Sequence, residues 1–172
     1  MTVTTRTSKG TALTYAEMDA NLSSLDSDRT VFISGYRPAL PCANVSLSTD
    51  TLGANTANTD AVMIFNIANL NQGNHYNTTN GKFTCPVAGI YQVTAFAMDK
   101  NSSAAGAFYL RVKVNGTAYG SDAGSYTASN SHAGAHISKL VSCTAGQELT
   151  VTYSSTNGVH AGYSGATFML IG

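Results

Sequence analysis

Phe108-Tyr109-Leu110-Arg111-Val112-Lys113-Val114 alternates apolar and polar without a clean break, and Asn115-Gly116 follows it directly. Phe108, Leu110, Val112 and Val114 share one face of an extended chain, while Tyr109, Arg111 and Lys113 share the other. That is the pattern of a half-buried strand, and Asn-Gly is the strongest short-range signal for a tight hairpin. Similar runs recur at Val31–Ser34, Val62–Ile67, Lys82–Cys85, Ile90–Met98, His136–Cys143, Glu148–Tyr153 and Thr167–Ile171. Turn clusters such as Asn80-Gly81, Pro86-Val87-Ala88-Gly89 and Asn157-Gly158 separate them. Seven or eight short strands without intervening helices predict an all-β fold, an antiparallel sandwich of jelly-roll type. In Thr167-Phe168-Met169-Leu170-Ile171 four successive residues are apolar. This strand is therefore expected to be covered on both faces, by the second sheet and by a neighbouring subunit.

The first thirty residues are a different material. They hold 7 of the 18 charged side chains, and Gly10 is the only glycine before Gly35. The shift divides the chain into an N-terminal segment, 1–30, and a head, 31–172. In the segment, Thr14 is a good N-cap with Glu17 three residues on, a capping box, and Leu13 and Met18 are placed for a hydrophobic staple. Tyr15, Met18, Leu22 and Leu25 follow at spacings of 3, 4 and 3, a helical seam about two heptads long. A helix so short is marginal alone in water, so its seam is expected to be covered by a partner.

Composition removes several functions. Nine basic and nine acidic residues give a net charge of zero, and charged residues are only 10% of the chain. No basic stripe exists to neutralise phosphates, so nucleic acid is not an expected partner. No apolar run reaches the ~20 residues of a membrane-spanning helix, and the polar start lacks the apolar region of a signal peptide. Neither membrane insertion nor export is expected. Cys42, Cys85 and Cys143 are odd in number and lack a C-x-x-C spacing, so they read as small hydrophobes and not as a disulfide or zinc framework.

The stretch His75 to Tyr91, with Tyr76, Gly81-Lys82-Phe83-Thr84-Cys85-Pro86 and Gly89-Ile90-Tyr91, resembles the signature of the C1q-like domain family. Ser164-Gly165-Ala166-Thr167-Phe168-Met169-Leu170 is similar to that family's terminal strand, except that Gly165 replaces an aromatic residue. The resemblance runs from about Val31 to Gly172. It implies a ten-stranded jelly roll assembled as a compact homotrimer, similar to complement C1q heads and tumour necrosis factor, that serves binding and assembly and not catalysis. Phe83, Tyr91, Phe96, Phe108 and Phe168 are its expected core or trimer anchors. Gly81 and Gly89 are expected at turns that require positive φ. Separately, Lys9 to Leu25 resembles a short module found near the start of tailed-bacteriophage fibre and virion proteins.

No G-x-S-x-G elbow, P-loop or G-x-G-x-x-G is present. Glu17 and Glu148 are the only glutamates, and no Asp/Glu pair occupies one suggestive segment, as a glycosidase would need. His132 and His136 have the helical spacing of zinc ligands but sit in a poor helix, Ser131-His132-Ala133-Gly134-Ala135-His136, so no metal or other cofactor is expected. The loop from Thr49 to Asp60, with Asp50, Asn55, Asn58 and Asp60, fits no EF-hand pattern and reads as solvated. Five Asn-X-Ser/Thr sequons, at Asn21, Asn44, Asn77, Asn101 and Asn115, have no consequence without export.

The expected function is a trimeric spike or fibre protein of a tailed-phage virion, assembled in the host cytoplasm. Residues 1–30 would hold capsid or tail proteins, and the head would attach to a host-surface glycan or protein. The alternatives are a capsid decoration protein without receptor binding, or a free-standing C1q-like binding module. Tyr119, Tyr126 and Tyr163, in Gly/Ser-rich loops, are the candidate surface-binding residues.

Overall fold

Residues alternating inward and outward close two antiparallel sheets over a single apolar core. The computed structural model describes residues 10–23, 40–50, 60–100, 106–127, 132–155 and 157–172. The chain divides into two compact units, Met1–Leu40 and Pro41–Gly172.

In the first unit, helix α1 occupies 15–23 among the described residues. The capping box is formed reciprocally. The Thr14 N–H and hydroxyl both donate to Glu17 Oε2, at 2.7 and 2.9 Å, and the Glu17 N–H donates to Thr14 Oγ1 at 3.3 Å. Two donors that a helix start otherwise leaves unpaired are thereby satisfied. Leu25, the last position of the seam, and the expected strand Val31–Ser34 lie outside the described residues.

The second unit holds twelve strands among the described residues: β1 (Cys42–Ser46), β2 (Ala61–Val62), β3 (Ile67–Gln72), β4 (Tyr76–Asn77), β5 (Lys82–Thr84), β6 (Gly89–Met98), β7 (Gly106–Val114), β8 (Thr117–Ala118), β9 (Ala123–Thr127), β10 (Gly134–Cys143), β11 (Glu148–Ser155) and β12 (Gly165–Leu170). One sheet has five strands in the order β10-β6-β12-β1-β3. The other has seven, β4-β5-β11-β7-β8, with β2 also pairing β11 and β9 also pairing β7. Every pairing is antiparallel. The crossovers between non-consecutive strands make this an antiparallel sandwich of jelly-roll type.

Aromatic rings from both sheets fill the centre. Phe83 and Phe168 stack at 5.3 Å with their planes 4° apart, and Tyr91 meets Phe83 edge-on at 5.9 Å. Tyr76 lies 5.5 Å from Phe168. Tyr91 donates its buried hydroxyl to Val87 O at 2.8 Å, and Tyr76 Oη accepts the Phe65 N–H at 3.1 Å. Apolar bulk and polar tip are thus both accommodated.

Two expectations change, for the Val62–Ile67 strand and for Gly89. Val62–Ile67 is not one strand: β2 ends at Val62, β3 begins at Ile67, and Met63 and Phe65 are buried in an irregular segment between them. Of the expected core or trimer anchors, Phe96 alone points outward, from β6, and is 50% exposed. Gly81 has the expected positive φ, +73°, but Gly89 does not. A Cβ on Gly89 would lie 2.5 Å from Gly172 O and 2.6 Å from Leu170 Cδ1, so close chain approach requires that glycine.

Candidate functional site

Each sheet presents an outer face, and the two faces differ in chemistry. On the five-stranded sheet the registers align side chains in rows. Leu140 of β10 lies opposite Gln92 of β6, then Met169 of β12, then Cys42 of β1. The adjacent rows contain Ser138, Thr94, Thr167 and Asn44, then His136, Phe96, Gly165 and Ser46. Leu140 is 60% exposed, and Ile90, Phe96, Met169 and Ile171 are also exposed. The polar members bond among themselves: Thr94 with Ser138 at 3.2 Å, and Asn44 Nδ2 to Thr167 Oγ1 at 3.2 Å. No Asp, Glu, Lys or Arg stands in these three rows. The Phe96 ring lies over Gly165, where a Cβ would be 3.2 Å from Cε1 and Cζ. Phe96 thus covers the position where an aromatic residue was expected in the terminal strand.

The outer face of the seven-stranded sheet is polar. Tyr109, Arg111 and Lys113 point outward from β7, as their alternation requires, with Glu148, Thr150, Thr152 and Ser154 beside them on β11. Arg111 donates through Nε and Nη2 to the two Asp122 oxygens and through Nη1 to Asp60 Oδ2, which also meets Lys113 Nζ at 2.9 Å. Lys82 of β5 pairs with Glu148 at 2.7 Å. Burial pushes the Asp60 carboxyl up, but the bonds from Lys113 and Arg111 outweigh it and hold the group below its ordinary value. The Arg111 hydrogen bond does the same for Asp122. Between these pairs runs a groove of about 370 Å³ lined by Asp60, Val62, Lys82, Lys113, Glu148 and Thr152, among others. A smaller groove lined by Tyr109, Arg111, Asp122 and Ser154 shares Asp60 with it.

The three tyrosines singled out from the sequence occupy separate elements. Tyr126 is on β9, opposite Ala107, and is 73% exposed on the polar face. Tyr119 follows β8, its N–H donating to Val112 O at 2.8 Å. Tyr163 sits on a 3₁₀ turn (Ala161–Tyr163), edge-on to the His160 ring at 5.0 Å. Phe83, Tyr91, Phe108 and Phe168 are buried, and Tyr15, Met18 and Leu22 of the helical seam are exposed. Sequence reasoning did not single out Tyr109 or Asp122 as site residues, and it placed Asp60 in a solvated loop, whereas Asp60 is ion-paired with Arg111 and Lys113. The outward positions of Tyr109 and Arg111 were readable from β7, but their partners come from distant parts of the chain.

Elsewhere the polar residues are committed to structure. Asp99 is buried, accepting from Ala133 N at 2.9 Å and Asn157 Nδ2 at 3.2 Å, with His132 Nδ1 at 3.3 Å. Asp50 accepts the Ala161 N–H at 2.8 Å and lies near His160 and Lys100. His136 stands outward on β10, away from the Asp99 bridge made by His132. Cys85 and Cys143 are buried; burial, with Cys143 beside it, pushes the Cys85 thiol up to about 12. Among the described residues no group of three or more His, Cys, Asp or Glu side chains is arranged to hold a metal ion. None of their helices is long and apolar enough to cross a membrane.

The sequence matches the family model of the C1q domain over residues 46–169. Among solved structures, the globular domain of zebrafish complement 1qA protein superposes with a TM-score of 0.60 at 13% identity, covering 77% of this chain and 98% of that one. Murine APRIL at pH 5.0 superposes with a TM-score of 0.57 at 9% identity, covering 77% and 99%. At such identities the likeness is one of fold. No curated protein sequence matches the chain.

Proposed function

The chain belongs to the C1q domain family, and from that premise we propose that it is a trimeric binding module, carried on a tailed-phage virion by its N-terminal helix. Its role is attachment and assembly, not catalysis. The observation that carries the trimer is the outer face of the five-stranded sheet, where Ile90, Phe96, Leu140, Met169 and Ile171 stand exposed. Contiguous apolar patches are uncommon on monomers and mark association surfaces. The side chains between them are Thr, Ser, Asn and Gln, which a neighbour can cover at little desolvation cost when their hydrogen bonds are kept. The charged face of the other sheet is a poor subunit interface by the same reasoning, and it is left outward for ligands.

The virion assignment is supported by the resemblance of Lys9 to Leu25 to the phage module, and by a helix whose seam is exposed among the described residues, Tyr15 at 85%. The trimer is tested by light scattering on the full chain. The expected mass is about three times the 17.8 kDa of one chain. The double variant Leu140→Lys, Met169→Lys should fall to one chain mass with its circular dichroism unchanged. A wild-type monomer at micromolar concentration would overturn the proposal.

A further inference from the structure

Asp60, Lys82, Arg111, Lys113, Asp122 and Glu148 are six of the eleven charged residues after position 30. All six lie on the outer face of the seven-stranded sheet, joined by ion pairs. In a chain this poor in charge, such a concentration sets that face apart. The pairs pin each other: Arg111 is held by two carboxylates and Asp60 by two cations. Arg111 commits three of its five N–H groups and retains donors for a further partner.

A second observation lies in the groove wall. Thr152, 2% exposed, lines the 370 Å³ groove between Val62 and Arg111, its register partners on β2 and β7. Its hydroxyl is buried and is without a hydrogen-bond partner among the described residues. A buried hydroxyl left unpaired is destabilising, and a valine would fill the same space without that cost. At one end of this face stand Tyr109 and Tyr126, both exposed.

We propose that this face binds an uncharged oligosaccharide, with the groove above Thr152 as its principal subsite. Three cations and three anions sum to zero and are already paired, so a polyanion or polycation finds no uncompensated field. What the face offers is a dense, fixed set of donors and acceptors, flanked by tyrosine rings. Sugar hydroxyls both donate and accept, and their C–H faces pack on aromatic rings. A ligand hydroxyl, or a water that it orders, completes the bond that Thr152 lacks. The proposal rests on reading the head as a binding module, but not on the virion or on the number of subunits.

The test is an NMR titration of the full chain with maltotriose, cellotriose, chitotriose and mannotriose, and with sialyllactose as the charged comparison. At least one neutral sugar should shift the amides around Thr152, Lys113 and Tyr109, and sialyllactose should not bind more tightly. Thr152→Val should raise Tm by about 2–4 °C while weakening that sugar about tenfold. Tyr109→Ala should weaken it without moving Tm. Shifts confined to another surface would overturn this site while keeping the binding-module reading. Shifts with no sugar, or unchanged affinity in both variants, would overturn the inference itself, and the trimer measurement would be unaffected.

Discussion

Glycines 81, 89 and 165 illustrate how one residue type answers three different constraints. Gly81 combines φ +73° with a close approach to Met63 O and Val62. Gly165 leaves room for the Phe96 ring, which explains how the terminal strand dispenses with its expected aromatic. Gly89 admits the chain end: Ile90 N–H donates to Gly172 O and Ile171 N–H to Ile90 O, closing the C-terminus onto β6. Gly89→Ala should push that end away and cost about 1–3 kcal/mol, the usual range for forced overpacking. Gly116→Ala makes a useful contrast, because φ is +81° there but nothing lies within 4 Å of the added Cβ. Both variants should lower the urea midpoint, the second through backbone strain alone. Only Gly89→Ala should strip hydrogen-exchange protection from the Ile90 and Ile171 amides. Retained protection at both would show that the clasp tolerates the methyl.

At the scale of elements, β7 and β11 form the ladder that carries the polar face, and the bridge from Arg111 makes its stability depend on pH. Asp60 and Asp122 titrate below 3.8 in the folded chain and near it when unfolded. Their contribution is complete above the unfolded value and is lost as pH falls through the folded ones. The urea midpoint should therefore be level from neutrality to about pH 5 and decline below about pH 4. The double variant Asp60→Asn, Asp122→Asn should start from a lower midpoint and decline less. An equal decline would move the acid sensitivity elsewhere, for instance to Asp50. The alternation of β7 was legible because each of its residues meets one environment, core or outer face. The capping box was legible because both partners lie within one turn. By contrast, β3 (Ile-Ala-Asn-Leu-Asn-Gln) is an edge strand whose side chains are mostly exposed, so no inward stripe marked it. β4 and β8 are two residues each, too short to show a period. Val62–Ile67 alternates well, yet Phe65 gives its N–H to the Tyr76 hydroxyl instead of a strand, and local pattern carries no sign of that. The pairing of Asp60 with Arg111 spans 51 residues and is set by the topology.

For the whole molecule, the proposal gives assembly to one outer face and recognition to the other, and leaves the first unit to decide where the proposed trimer is carried. Its helix is well started, by the Thr14–Glu17 box, but poorly completed. Tyr15, Met18 and Leu22 remain exposed, and burying such side chains is worth roughly 1.5–3 kcal/mol each for the larger aliphatics. Among the described residues, the apolar core is built from Pro41–Gly172 side chains. The seam and the head should therefore fail independently. Met18→Ser, Leu22→Ser and Leu25→Ser together are expected to leave the trimer mass and the head's urea midpoint unchanged and to abolish incorporation into virions, measured as copies per particle. Normal copy number would remove residues 1–30 from the attachment role. Loss of the trimer in the same variant would instead mean that the helices associate with one another, making the seam part of the assembly and not its anchor.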